Sequence, residues 1–125
     1  MARHKSLLAA ALGLALLVAA TCALLGNLWL LTPMRNTRYA PGYSEQAFRA
    51  VAVGDSETRV SLSLLGEPLL RTATAGACPE GGATGGPCSH LWYARPMNPD
   101  QGYLWRRVTI QAGHVVRTGR GLWWD

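Results

Sequence analysis

Two cysteines and a histidine lie close together in the second half of the chain: Cys78, Cys88 and His90. Between the cysteines runs Pro-Glu-Gly-Gly-Ala-Thr-Gly-Gly-Pro, a loop with many conformations to lose. Closing such a loop is what a disulfide does well, and exported compartments permit the bond. Two free thiols are one alternative. Metal binding by Cys78, Cys88 and His90 is a weaker one, because a fourth ligand is missing and the spacing differs from common zinc patterns. Cys22 has no such neighbour and reads as a packing residue.

No nucleophile, base and acid come together in the pattern. His4 lies near the N-terminus, while His90 and His114 fall in strand-like segments. The pairs Gly81-Gly82 and Gly85-Gly86 precede a strand rather than a helix, so they do not make a phosphate cradle. The expectation is a protein that is not an enzyme, with no cofactor, no metal and no small-molecule substrate.

The C-terminal VVRTGRGLWWD concentrates Arg117, Arg120, Trp123 and Trp124. Tryptophan and arginine are enriched at interface hot spots, and both suit a membrane interface. The other possibility is that the two tryptophans fold back and complete the core. Beyond residue 31 there are ten arginines against seven acids. That surplus is mild and scattered, which argues against nucleic acid as a partner.

These groups must be positioned by a short chain. With 125 residues, one ordinary domain is the limit. Residues 6–31 (SLLAAALGLALLVAATCALLGNLWLL) carry no charge and exceed the roughly 20 residues that span a bilayer as a helix. Trp29 suits the interface, and Thr32-Pro33 should end the helix. The run is too long for the apolar part of a cleaved signal. A lipidated Cys22 is the other competitor, since Ala19-Ala20-Thr21-Cys22 loosely resembles a lipobox. Basic residues on the two sides nearly balance, so the cysteine pair decides orientation: N-terminus cytoplasmic, domain periplasmic. Ala11, Ala15, Ala19, Ala23 and Asn27 recur every four residues along one helix face, where another helix could pack closely.

Residues 34–42 (MRNTRYAPG) read as a linker. A short helix follows, capped by Ser44, with Phe48 and Val51 facing inward. Ser56 caps a second, with Val60 and Leu64 inward and Gly66 at its end. Residues 69–74, 89–95, 104–111 and 114–118 read as strands, the last two joined by a turn at Ala112-Gly113. The expected organisation is a tail and transmembrane helix over 1–32, a linker over 33–42 and an exported domain over 43–125. The fold class is α+β, with two helices packed on a three- to four-stranded antiparallel sheet.

Gly54-x-Ser56-x-x-x-Val60, Leu65-Gly66-x-Pro68, Leu91-Trp92-Tyr93, Val108-Thr109-Ile110 and Gly113-x-Val115 together resemble the SmpA/OmlA (BamE-like) family. The distance from Gly54 to Leu65-Gly66 is one residue longer than the family's usual pattern. The resemblance implies two helices on a three-stranded sheet and a non-enzymatic role in holding membrane assemblies together. The expected function is an accessory or scaffolding subunit of a membrane protein complex, in envelope assembly or in a respiratory or photosynthetic complex. Its partners would be integral membrane subunits and lipid, and its place the bacterial inner membrane as a single-pass protein. The alternative is a lipoprotein of the outer-membrane barrel-assembly machinery anchored through Cys22.

Overall fold

The computed structural model describes residues 2–80 and 85–124. The chain divides into two compact units at Thr32/Pro33. The first is nearly all of α1 (Ala2–Arg35), a 34-residue helix. At 1.5 Å per residue it is about 51 Å long. Leucines from Leu7 to Leu28 stand exposed along it, and by length and composition it can cross a membrane. Its few hydroxyls are satisfied within the helix: Thr21 Oγ1 donates to the Leu17 carbonyl and Thr32 Oγ1 to that of Leu28, both at 2.8 Å. Such back-bonding removes the need for an outside partner.

Proline does not end this helix. Pro33 lies inside it, and two more residues follow in helical form. A proline removes one donor from the ladder but leaves its own carbonyl available. That carbonyl accepts from Thr37 Oγ1 at 2.6 Å, and Pro33 itself is fully buried.

The stretch expected as a linker contains a strand. β1 (Thr37–Tyr39) follows α1 after one residue and pairs antiparallel with β4 (Ala94–Pro96). Asn36, Thr37 and Ala40 are all buried. The second unit therefore begins at Pro33, not at Tyr43.

α2 (Glu45–Ala50) starts where Ser44 accepts from the Ala47 N–H at 3.1 Å, and it buries Phe48. Ser56 likewise accepts from the Arg59 N–H at 3.2 Å. The helix it precedes, α3 (Arg59–Leu64), is wound as a π-helix, and the Leu65 N–H reaches back to Val60 at 2.8 Å. A π-turn accommodates one residue more than an α-turn. That extra residue keeps both Val60 and Leu65 fully buried. Gly66 then leaves the helix at φ +70°, a conformation that glycine adopts without strain.

Four strands form the main sheet, in the order β2-β3-β5-β6, all antiparallel. They are β2 (Leu70–Ala73), β3 (Ser89–Trp92), β5 (Tyr103–Gln111) and β6 (His114–Trp123). The fold is α+β. Leu91, Val108, Ile110 and Val115 face the helices and join Val60, Leu65 and Phe48 in the core. Tyr93 ties the two sheets together. Its N–H donates to Arg106 at 3.0 Å, its carbonyl accepts from Ala40 at 2.9 Å, and its hydroxyl donates to the Gly66 carbonyl at 3.1 Å. Burial pushes that hydroxyl's pKa up to about 12.

Candidate functional site

Side chains alternate across a strand, so the residues of β5 that do not enter the core line the opposite face. These are Tyr103, Trp105, Arg107, Thr109 and Gln111. Their cross-strand partners extend that face: Trp92 lies opposite Arg107, Leu70 opposite Trp92, and Trp123 opposite Tyr103. The sheet is thus covered by helices on one side, while the other side carries a band of aromatic rings.

The rings are held in place. Trp92 Nε1–H donates to Thr72 at 3.0 Å. Trp105 lies across β6 at two positions that have no side chain. A Cβ on Gly121 would fall 2.7 Å from Trp105 Nε1, and one on Gly119 would fall 2.9 Å from its Cζ3. Glycine is what allows this approach. The guanidinium of Arg107 sits 5.4 Å from the Trp92 ring centroid and 5.7 Å from that of Trp105, within cation–π range. Two cavities open side by side here. One, of about 350 Å³, lies among Leu70, Trp92, Ala94, Pro96 and Tyr103. The other, of about 300 Å³, lies among Trp92, Tyr103, Trp105, Arg107 and Trp123.

The disulfide loop closes the far end of this face. Cys78 and Cys88 are bonded, with Cα atoms 5.1 Å apart. Glu80, two residues after Cys78, pairs with Arg107 Nη2 and accepts the Thr109 hydroxyl at 2.6 Å. Thr109 in turn accepts from His90 Nδ1 at 3.1 Å. Gln111 Nε2 donates to the Gly86 carbonyl at 2.8 Å. Arg107 Nε is buried without a hydrogen-bond partner among the described residues. Of the two glycine pairs, Gly81-Gly82 lies outside the described residues.

A second polar cluster sits on the helix side. Glu45 Oε2 accepts from Arg106 Nε at 3.1 Å and from the Tyr43 hydroxyl, while Arg120 reaches Oε1 at 3.3 Å. Burial acts to raise the Glu45 pKa, but hydrogen bonds from Tyr43 and Arg106 outweigh it and hold the carboxyl below its usual range. The His90 ring is held low too, first by burial and then by Arg107, against the pull of Glu80.

Both shifts have the same consequence. As pH falls below about 6.5, the unfolded chain takes a proton that folded His90 refuses, so stability drops. As pH falls further through the depressed Glu45 value, protonation removes that cluster and more stability is lost. Thermal midpoints at pH 7.5, 5.5 and 3 should decline in two stages. His90→Gln should flatten the first stage and Glu45→Gln the second.

The C-terminal residues expected as one tail are the second half of β6. Arg117 and Trp123 lie opposite Thr109 and Tyr103 on the aromatic face, whereas Arg120 lies opposite Arg106 on the helix side. Trp124 covers Gly102, where a Cβ would fall 2.6 Å from its ring. The four residues therefore do not form one patch. Ala11, Ala15, Ala19, Ala23 and Asn27 are exposed on α1. Tyr103, Trp105 and Trp92 also belong to the aromatic face, beyond the residues expected from the sequence. The signal is present in Tyr103-x-Trp105-x-Arg107, which extends the alternation of β5 one residue before 104.

Comparisons with protein-family models, with curated proteins and with solved structures find no match for this chain.

Proposed function

We propose that this chain is a non-enzymatic accessory subunit of a membrane protein complex. α1 is its single-pass anchor, the N-terminus is cytoplasmic, and the disulfide-bonded domain is periplasmic. The observation that carries this reading is α1 itself: 34 residues, apolar, its leucines from Leu7 to Leu28 exposed, its hydroxyls bonded back to its own carbonyls. A helix of that kind needs lipid or other helices around it. The Cys78–Cys88 bond supports placing the domain on an oxidising side. The resemblance to the SmpA/OmlA family supports a role in holding an assembly together. The small-residue face of α1 supplies one attachment, since close packing drives helix pairing in lipid.

Purification in mild detergent tests this. The chain should carry an intact N-terminus by mass and should co-purify with an integral membrane protein at a fixed ratio. Replacing Ala19 and Ala23 by leucine should lower that ratio several-fold. A mature chain beginning at acylated Cys22 would replace the anchor with a lipoprotein reading. Alkylation of Cys78 and Cys88 without reduction would move the domain to the cytoplasm.

A further inference from the structure

We infer that the outer edge of β6, over residues 118–122, captures an acidic extended segment of a partner, which adds to the main sheet as one more strand. This deepens the accessory-subunit reading by giving the chemistry of one contact, and rests on that reading only for which protein carries the segment.

The direction of the main-chain groups follows from β5. Leu104 N–H donates to Thr37 Oγ1 at 2.8 Å, and the Arg106 carbonyl accepts from Tyr93 at 3.0 Å. Both groups therefore face away from β6. In an antiparallel ladder, two residues directly opposite each other either exchange both main-chain bonds or neither. Leu122 and Arg120, opposite Leu104 and Arg106, thus turn their N–H and C=O away from β5. Thr118, opposite Val108 and two residues before Arg120, does the same. None of these six groups has a hydrogen-bond partner among the described residues.

The opening begins where existing cover stops. Farther back on the same edge, the Val115 carbonyl accepts from Gly54 and the Val115 N–H donates to Asp55, each at 2.8 Å. Ser56 bridges to His114 beside them. The chain thus already continues its sheet past β6 at one end and leaves it open at the other. Edges are usually blunted by proline, lysine or a guarding charge. Residues 116–123 hold neither proline nor lysine, and the Arg120 guanidinium is drawn to Glu45 at 3.3 Å. A row of free N–H and C=O groups calls for another main chain, which is how strand addition captures peptides.

The side chains beside the edge select an acidic segment. A cavity of about 260 Å³ lies between α2 and β6, among Phe48, Arg49, Val51, Thr118, Gly119 and Arg120. Arg49, Arg120 and Arg106 share the single carboxylate of Glu45, at 3.8, 3.3 and 3.1 Å. Positive charge is therefore in excess there, and Arg49 and Arg120 are exposed. A strand laid along residues 118–122 puts every second side chain on this side of the sheet. Aspartate or glutamate at those positions meets the two guanidiniums. A second copy of the chain fits less well, because its own β6 would bring Arg117 and Arg120 to the same short edge, and like charges facing across strands are unfavourable.

The test uses the full chain in mild detergent and fluorescein-labelled Thr-Val-Asp-Val-Glu-Val-Thr, a strand former with both acids on one face. A second peptide has lysine for both acids. Two more are N-methylated on alternate amides, one at the three valines and one at the aspartate, the glutamate and the last threonine. Wild type should bind the acidic peptide saturably and several-fold more tightly than the lysine form. One N-methylated form should lose about tenfold or more, having lost the bonds that face β6, while the other binds nearly as well. Arg49→Glu should erase the preference for acid. Thr118→Pro removes a free N–H and no bond to β5, so it should weaken binding about tenfold or more with the Cys78–Cys88 bond and the thermal midpoint kept. Absence of saturable binding by folded wild type overturns the inference. So does equal binding of the two N-methylated forms, or of the acidic and lysine forms. Dimerisation of wild type that Thr118→Pro abolishes also overturns it, since a second copy then fills the edge. Co-purification of a membrane protein without peptide binding leaves the accessory reading standing and this inference refuted. Peptide binding with the expected N-methyl pattern, but no co-purifying protein, does the reverse.

Discussion

Replacing Cys78 and Cys88 together by alanine should lower the thermal midpoint of the domain by about 10–20 °C. The bond closes a loop across a sequence separation of 10. In the chain-entropy account, that closure stabilises by roughly 2–3 kcal/mol. For a domain of this size each kcal/mol corresponds to about 4–8 °C. The loop also has work on the sheet. Glu80 and Gly86 lie inside it and hold Arg107, Thr109 and Gln111. When the loop frays, Arg107 loses its carboxylate. Calorimetry of the full chain in detergent, with and without reductant, measures the effect. Reductant should shift the wild type by a similar amount and leave the double variant unmoved. A shift of under about 3 °C in the variant would show that the sheet holds the loop unaided.

Asn36→Ala should cost about 2–4 kcal/mol. This one amide supports the whole 97–102 turn. Its Nδ2 hydrogens are shared among the carbonyls of Asn98, Gln101 and Gly102 at 2.9–3.1 Å. Its Oδ1 accepts the Asn98 N–H at 2.8 Å, and its backbone carbonyl accepts from Met97 at 2.8 Å. Alanine leaves buried polar groups without partners, which costs more than the bonds are worth singly. Asn36→Asp should be at least as damaging, because it turns a carboxylate toward three carbonyls. Denaturant unfolding gives the free energy, and hydrogen exchange should speed up selectively over residues 97–102. An alanine variant as stable as wild type would refute this account of the turn.

Much of the sheet was legible. Alternation over residues 104–111 placed Val108 and Ile110 together on one face, and the structure buries both. Ser44 and Ser56 cap as their positions imply. Ala112-Gly113 is the turn, with both residues at positive φ. The spacing of Cys78 and Cys88 announced a bond that is present. What escaped reading depends on partners far along the chain. MRNTRYAPG has no period of its own, and Thr37–Tyr39 become a strand because Ala94–Pro96 need one beside them. Pro33 lies in the last turns of α1, and the carbonyl it leaves at the helix end is capped by the Thr37 hydroxyl, a contact no local pattern announces. The aromatic face was hidden for a similar reason. Glycines weaken a strand in isolation, so GRG resembled a tail. It becomes strand only when Trp105 is laid across it.

That seat also acts as a register gauge for the last hairpin. β5 and β6 slip by one residue at an irregularity between Thr109 and Ile110, so the turn at Ala112-Gly113 does not by itself dictate how the outer halves align. In the native alignment Gly121 and Gly119 fall opposite Trp105 and Arg107. A shift of one position would bring Arg120 or Leu122 beneath the indole and send every outer side chain to the wrong face. Only one alignment leaves room for the ring. The bare backbone under Trp105 therefore proofreads the pairing as the strands zip, excluding the misaligned hairpins by bulk rather than by a stronger native contact.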